Sequence, residues 1–204
     1  VIVGHGSLII DHRKFEKSGL NGNADLGHMV YACSNAECPD GSLIIRDTTF
    51  TRMGIARPGH AIKSRAPNNL IENLVIAGLD AKSGRAIDIS QGGKTTIKNV
   101  VMQLGINNDN EDFIAIGLEE PRYENTETEI ENVIAICDQT EPCDFVRYKG
   151  PAPKLKNITL IGNFRFYDDL YPIAKDEIKI YKSRSEAGIK EYPYVPEKWT
   201  EINR

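Results

Sequence analysis

The sequence predicts an all-β chain wound as a right-handed parallel β-helix of about five to six coils over residues 1–163, closed by an aromatic-rich capping segment at residues 164–204. Three observations lead there. A short apolar motif recurs at regular spacing, each copy ends on a polar residue that is nearly always Asn, and no stretch carries the periodicity of an amphipathic helix.

The copies are Leu43-Ile44-Ile45-Arg46-Asp47, Asn69-Leu70-Ile71-Glu72-Asn73, Thr95-Thr96-Ile97-Lys98-Asn99, Thr128-Glu129-Ile130-Glu131-Asn132 and Lys154-Leu155-Lys156-Asn157, with a looser first copy at Leu8-Ile9-Ile10-Asp11-His12. The closing polar residues are therefore 26, 26, 33 and 25 residues apart. Periods of about 20–50 residues mark solenoids and arrays. Each repeat holds short β-branched runs punctuated by Gly, Pro, Asn and Asp, so strands fill it. Leucine-rich repeats are excluded because the apolar positions are mostly Ile and Val. The Asn column then has a physical role. At a bend between strands Asn tolerates the left-handed conformation, and its amide can bond the equivalent side chain one coil on, satisfying buried polar groups coil by coil. Ile10, Ile45, Ile62, Ile71, Ile87, Ile97, Ile114, Ile130 and Val146 are expected inside.

In chain order, residues 1–6 read as the last strand of an incomplete coil, and residues 7–40 as a coil enlarged by the loop at 18–25. Residues 41–67 and 68–92 are the most regular coils. Residues 93–124 carry an acidic insertion, Asn107-Asn108-Asp109-Asn110-Glu111-Asp112, and an exposed Glu119-Glu120-Pro121-Arg122. Acidic runs of this kind raise calcium as a ligand, although the Gly and terminal Glu of an EF-hand loop are missing. No other cofactor is implied. Beyond residue 163 the pattern fails, and 8 of the 15 aromatics follow, Tyr192, Tyr194 and Trp199 among them. Large rings cover a last coil efficiently, and an aromatic sugar platform is the alternative use for them.

At 204 residues and 40% hydrophobic content the chain is long enough for one well-buried domain. Its net charge of −4 argues against nucleic acid as a partner. No apolar run approaches the ~20 residues that span a bilayer. The four cysteines form two close pairs, Cys33 with Cys38 and Cys137 with Cys143, which predicts two local disulfides and a secreted, periplasmic or cell-surface location. Disulfides are expected rather than a zinc site, because the two pairs lie some four coils apart and no His accompanies them at ligand spacing. The chain starts inside a strand-like run, Val1-Ile2-Val3-Gly4, so either upstream sequence or a second subunit is expected to cover the first coil.

Candidate chemistry lies on the other strand of each coil. Aligning Gly27, Gly59 and Gly84 puts Val30, Ile62, Ile87, Ile114 and Val146 inward, and alternation turns the next residues outward: Tyr31, Lys63, Asp88, Ala115 and Arg147. Two residues on stand Arg65, Ser90 and Lys149, and at the strand entrance His28, His60, Arg85, Asp112 and Asp144. With coils about 4.8 Å apart, His28, Tyr31, His60, Lys63, Arg65, Arg85 and Asp88 share one patch. Such residues usually form a solvated face, but two of the four histidines falling in register beside Tyr, Lys, two Arg and an Asp favour a site.

The rows resemble the pectate-lyase-like right-handed β-helix superfamily over roughly residues 1–162, a likeness that implies the fold and only a prior for carbohydrate. Its members are mainly polysaccharide lyases, glycoside hydrolases, uronate epimerases and phage tailspikes. The patch suits β-elimination on a uronic-acid polymer, which needs a cation to neutralise the carboxylate, a base for the acidified C–H and an acid for the leaving oxygen. Arg65 and Arg85 would neutralise, Lys63 or His60 would be the base, Tyr31 or His28 the acid, and Asp88 would orient the base. Ser90, Arg147 and Lys149 would extend substrate binding. An epimerase uses similar parts. Two other readings remain open: a non-catalytic glycan-binding, adhesin or tail-fibre module, and a glycoside hydrolase using Asp88 and Asp112. A Gly-x-Ser-x-Gly nucleophile motif is absent.

Overall fold

The computed structural model describes residues 2–4, 6–19, 27–34, 38–55, 59–120, 122–165 and 175–202. Residues 20–25 of the enlarged loop, Pro121 of the acidic turn and residues 166–174 of the terminal segment lie outside the described residues. The described chain is all-β, and every strand pairing in it is parallel. A seven-stranded sheet runs in the order β1 (Ile2–Gly4), β4 (Val30–Ala32), β6 (Ile62–Ser64), β8 (Ile87–Ile89), β10 (Asp112–Ile116), β12 (Cys143–Tyr148) and β14 (Phe164–Arg165). An eight-stranded sheet holds β2 (Leu8–Asp11), β5 (Ser42–Thr51), β7 (Asn68–Ala77), β9 (Lys94–Leu104), β11 (Glu127–Cys137), β13 (Lys154–Gly162) and β15 (Ile178–Tyr181), with β3 (Lys14–Glu16) beside the second half of β5. From β3 onward the chain crosses from one sheet to the other after every strand, each strand pairing with its counterpart one pass earlier.

The long strands explain why the Asn column exists. Leu43 and Ile45 point inward in the first half of β5, and unbroken alternation would next bury residues 47 and 49. Instead Thr48 and Phe50 are buried. Asp47 resets the parity with a left-handed φ of 45°, and Asn73, Asn99, Asn132 and Asn157 do the same at 58°, 57°, 55° and 52°. Their side chains form a continuous ladder: Asn73 donates to Asp47 (3.2 Å), Asn99 to Asn73 (2.9 Å), Asn132 to Asn99 (2.9 Å) and Asn157 to Asn132 (2.8 Å). The expectation that this ladder satisfies buried groups is corrected, because its members are exposed or half-buried and run along the surface of the bend. One residue earlier, Arg46, Glu72, Lys98, Glu131 and Lys156 stand in register with alternating sign. Three of the four neighbouring pairs are bridged, at 2.8, 3.7 and 2.8 Å.

One core fills the space between the sheets, and all nine positions expected inside are buried in it. Strand pairing continues past residue 163, since β14 and β15 add to both sheets. The following residues do not simply close the end of the stack. Ala187, Ile189, Val195, Trp199 and Ile202 pack on Val75, Val101, Ile134, Ile136 and Ile161, a second apolar cluster on the outer face of the eight-stranded sheet. Arg184 fastens this segment by bonding Asp138, which also takes a 2.7 Å bond from Gln103.

Both disulfides form as the spacing predicts, Cys33–Cys38 and Cys137–Cys143, and they point to an oxidising environment. Among the described residues no helix is long and apolar enough to cross a membrane. Among the described residues the carboxylates of the acidic insertion contribute to no group of three close metal-ligating side chains. Asp112 is held by Arg85 and Arg147, and Glu111 by Arg165.

Candidate functional site

The outer face of the seven-stranded sheet brings the candidate residues together. Tyr31, Lys63, Asp88, Ala115 and Arg147 are consecutive partners across β4, β6, β8, β10 and β12. Glycines bring the strand entrances close: a Cβ on Gly59 would lie 2.1 Å from the Gly27 carbonyl oxygen, and one on Gly84 would lie 2.6 Å from His60 Nδ1. Side-chain-free backbone at these points lets the backbone N–H of His60 donate to His28 Nδ1 (3.1 Å) and that of Arg85 donate to His60 Nδ1 (2.9 Å). The two imidazoles stack with centroids 4.8 Å apart.

These bonds fix the histidines chemically. A ring nitrogen that accepts from a backbone N–H carries no proton, so each neutral ring holds its hydrogen on Nε2. His60 presents that hydrogen to Asp88 Oδ2 at 3.2 Å. Burial, followed by the electrostatic effect of neighbouring His60 and Lys63, pushes the His28 pKa down to about 4, so His28 is neutral in ordinary buffers. Neither ring offers a free lone pair to a substrate proton.

Asp88 is 2% exposed, yet it is the hub of the group. Ser90 donates to it at 3.1 Å, Arg85 lies at 3.7 Å and Lys63 at 3.9 Å. Burial works to raise its pKa, and the hydrogen bond from His60 with the electrostatic pull of His60, Lys63 and Arg85 more than offsets this, leaving it below the ordinary value. Arg85 also grips Asp112 at 2.9 Å, and Arg147 reaches the same carboxylate at 3.3 Å. Asp88 and Asp112 are thus both buried and held by cations or hydrogen bonds, which speaks against their serving as a hydrolase pair.

Glu119, singled out in the sequence only as part of an exposed acidic turn, completes the site. The loop after β10 folds back as Gly117, Glu119 and Arg122 donate backbone bonds to the carbonyls of Ile89, Ser90 and Gln91. Glu119 Oε1 then lies 2.5 Å from Lys63 Nζ, and two Arg65 N–H groups donate to Oε2 at 2.7 and 3.1 Å. Tyr123 from the same loop donates to the Arg65 carbonyl at 2.8 Å. Burial raises the Glu119 pKa, but the bonds from Lys63 and Arg65 outweigh it and hold the carboxyl ionised below its usual range. Beneath both cations lies the Tyr31 ring, 5.4 Å from Lys63 and 5.3 Å from Arg65. Burial raises the Tyr31 pKa against the opposing charge of Arg65, so its hydroxyl keeps its proton. Among the described residues that hydroxyl has no hydrogen-bond partner.

The structure therefore gathers His28, Tyr31, His60, Lys63, Arg65, Arg85, Asp88 and Ser90 and adds Glu119. Arg147 sits one step away on Asp112, and among the described residues the exposed Lys149 side chain makes no contact with the group. Glu119 lies 54 residues from Arg65 in sequence, and no local spacing signals where its loop will fold. Asp11, His12 and Asp47 form a separate exposed trio that could hold a metal ion, at the first step of the Asn ladder. Comparison with known proteins finds no matching family model, curated protein or solved structure.

Proposed function

We propose that this chain is an exported right-handed parallel β-helix of about five to six coils, whose Tyr31–Lys63–Arg65 face binds a uronic-acid polysaccharide and cleaves it by β-elimination. One observation carries the reading: two cations above an aromatic ring already grip a carboxylate, that of Glu119. A uronate carboxylate has the same chemistry, and guanidinium is well suited to hold it. The two disulfides fit an exported protein.

The reaction then runs on the chain's own groups. Arg65 takes the substrate carboxylate in place of Glu119, which neutralises it and acidifies the neighbouring C5–H. Lys63, released from Glu119, first gives its own proton to solvent and then removes the C5 proton. The C4–O4 bond breaks as the C4=C5 double bond forms, and the Tyr31 hydroxyl donates its proton to O4. Water returns the proton from Lys63 to Tyr31. Asp88 holds Lys63 in place, and its buried hydrogen bond fixes His60 as a donor rather than a base.

Incubation with polygalacturonate, alginate and other uronate polymers, following both ultraviolet absorbance of unsaturated products and reducing ends, tests the reading. Both signals should rise together, faster at alkaline pH. Reducing ends without absorbance would point to hydrolysis. Binding that Lys63→Ala and Arg65→Ala weaken, without turnover, would make the chain a glycan-binding module, and neither binding nor turnover would overturn the proposal.

A further inference from the structure

A second site stands on the opposite sheet, where the terminal segment crosses the Asn ladder. Residues 197–200 and the ladder enclose a cavity of about 300 Å³ lined by Asp47, Asn73, Asn99, Glu197, Lys198 and Trp199, among others. That volume is at the small end of the ~300–1,000 Å³ typical of ligand sites. Trp199 is half-buried and anchored through the outer apolar cluster, so its position is set by packing.

We infer that this cavity binds a neutral sugar unit, stacked on Trp199 and hydrogen-bonded by the ladder amides. The ladder leaves the chemistry for it. An amide has two N–H groups and two carbonyl lone pairs. Asn73 and Asn99 each use one N–H and one lone pair within the ladder, at 2.9–3.2 Å, and keep one of each. Paired donors and acceptors of this kind read neighbouring sugar hydroxyls, and an aromatic face covers the ring C–H groups. The strand spacing of about 4.8 Å repeats the amide pair at an interval close to the length of one sugar unit. The formal charges of the lining residues, Asp47, Glu197 and Lys198, do not favour an anion, which separates this ligand from the uronate proposed for the other sheet.

Trp199 is the sole tryptophan, so its emission reports on this cavity alone. Titrations with cellotetraose, mannotetraose and galactotetraose, with tetragalacturonate as the charged control, should show a saturable emission change for at least one neutral tetrasaccharide. Calorimetry with that sugar should show affinity lowered about 10-fold or more in Trp199→Ala, and kept within about 3-fold in Trp199→Tyr, which retains a ring on the same packing surface. Binding should be unchanged in Lys63→Ala. Emission that no neutral sugar moves, a response to tetragalacturonate alone, or equal affinity in a folded Trp199→Ala would each overturn the inference.

Discussion

Two columns of side chains run along this molecule, and they behave in opposite ways. The ladder column of the eight-stranded sheet repeats one chemistry in pass after pass, Asp47, Asn73, Asn99, Asn132 and Asn157, each bonded to the next at the surface. The column on the seven-stranded sheet changes at every pass, from Tyr31 through Lys63, Asp88 and Ala115 to Arg147, and a loop covers part of it. Repetition meets a demand that recurs in each pass, here a left-handed bend and its polar satisfaction. Variation at equivalent backbone positions meets a demand that occurs once, and a site is such a demand.

The comparison breaks most visibly if the variable column can be altered without consequence. Tyr31→Phe removes only a hydroxyl and leaves the ring under both cations, so turnover should fall by about 10²–10⁴-fold with binding retained, the usual worth of a proton-transfer group. Steady-state kinetics on the responsive polymer measure this. Asn99→Ala tests the other column: a left-handed residue other than Gly or Asn costs about 1–2 kcal/mol, and each lost ladder bond about 0.5–1.5 kcal/mol. Asn99 makes two such bonds, to Asn73 and from Asn132, so denaturant midpoints should show a loss of about 2–5 kcal/mol, and Asn99→Gly, which keeps the backbone freedom, a smaller one. Turnover per folded molecule should be unchanged in both.

A pH titration sharpens the contrast further. The folded pKa of His28, about 4, lies below its ordinary 6.5. Between those values the unfolded chain binds a proton that the folded chain refuses, so stability should fall as pH drops from 6.5 to 4, by on the order of 2–3 kcal/mol. Asp88 and Glu119 are depressed from 3.8 and 4.5, so their contributions are present above those values and are lost only below them. His28→Asn, which keeps an acceptor for the His60 N–H, should flatten the upper window alone. The smallest effect concerns the loop: Glu119→Gln weakens the internal competitor for Lys63 and Arg65 and should tighten uronate binding by up to about 5-fold, near 1 kcal/mol.

The strand stack was legible because its signals are local and repeated. Ile-x-Asn marks a buried residue and a bend within three positions, and Cys33–Cys38 and Cys137–Cys143 lie within one loop each. Register carried the reading to His28, Tyr31, His60, Lys63, Arg65, Arg85 and Asp88, because parallel pairing keeps equivalent residues adjacent. Three things were not legible. Glu119 reaches the site through a loop whose anchors are backbone carbonyls, which any sequence supplies. The commitment of both His Nδ1 atoms to backbone N–H groups depends on how closely the strand entrances approach at Gly59 and Gly84. The path of residues 182–202 along the outer face rests on Val75, Val101, Ile134 and Ile161, which the sequence shows only as ordinary strand residues.

The measurement that tests the central claim most directly is a crystal structure with a bound oligogalacturonate or oligomannuronate. The account predicts a sugar carboxylate on Arg65, above Tyr31, with Glu119 swung away from Lys63. An oligouronate bound elsewhere on the chain, with the Glu119–Lys63–Arg65 cluster intact at saturation, would contradict it.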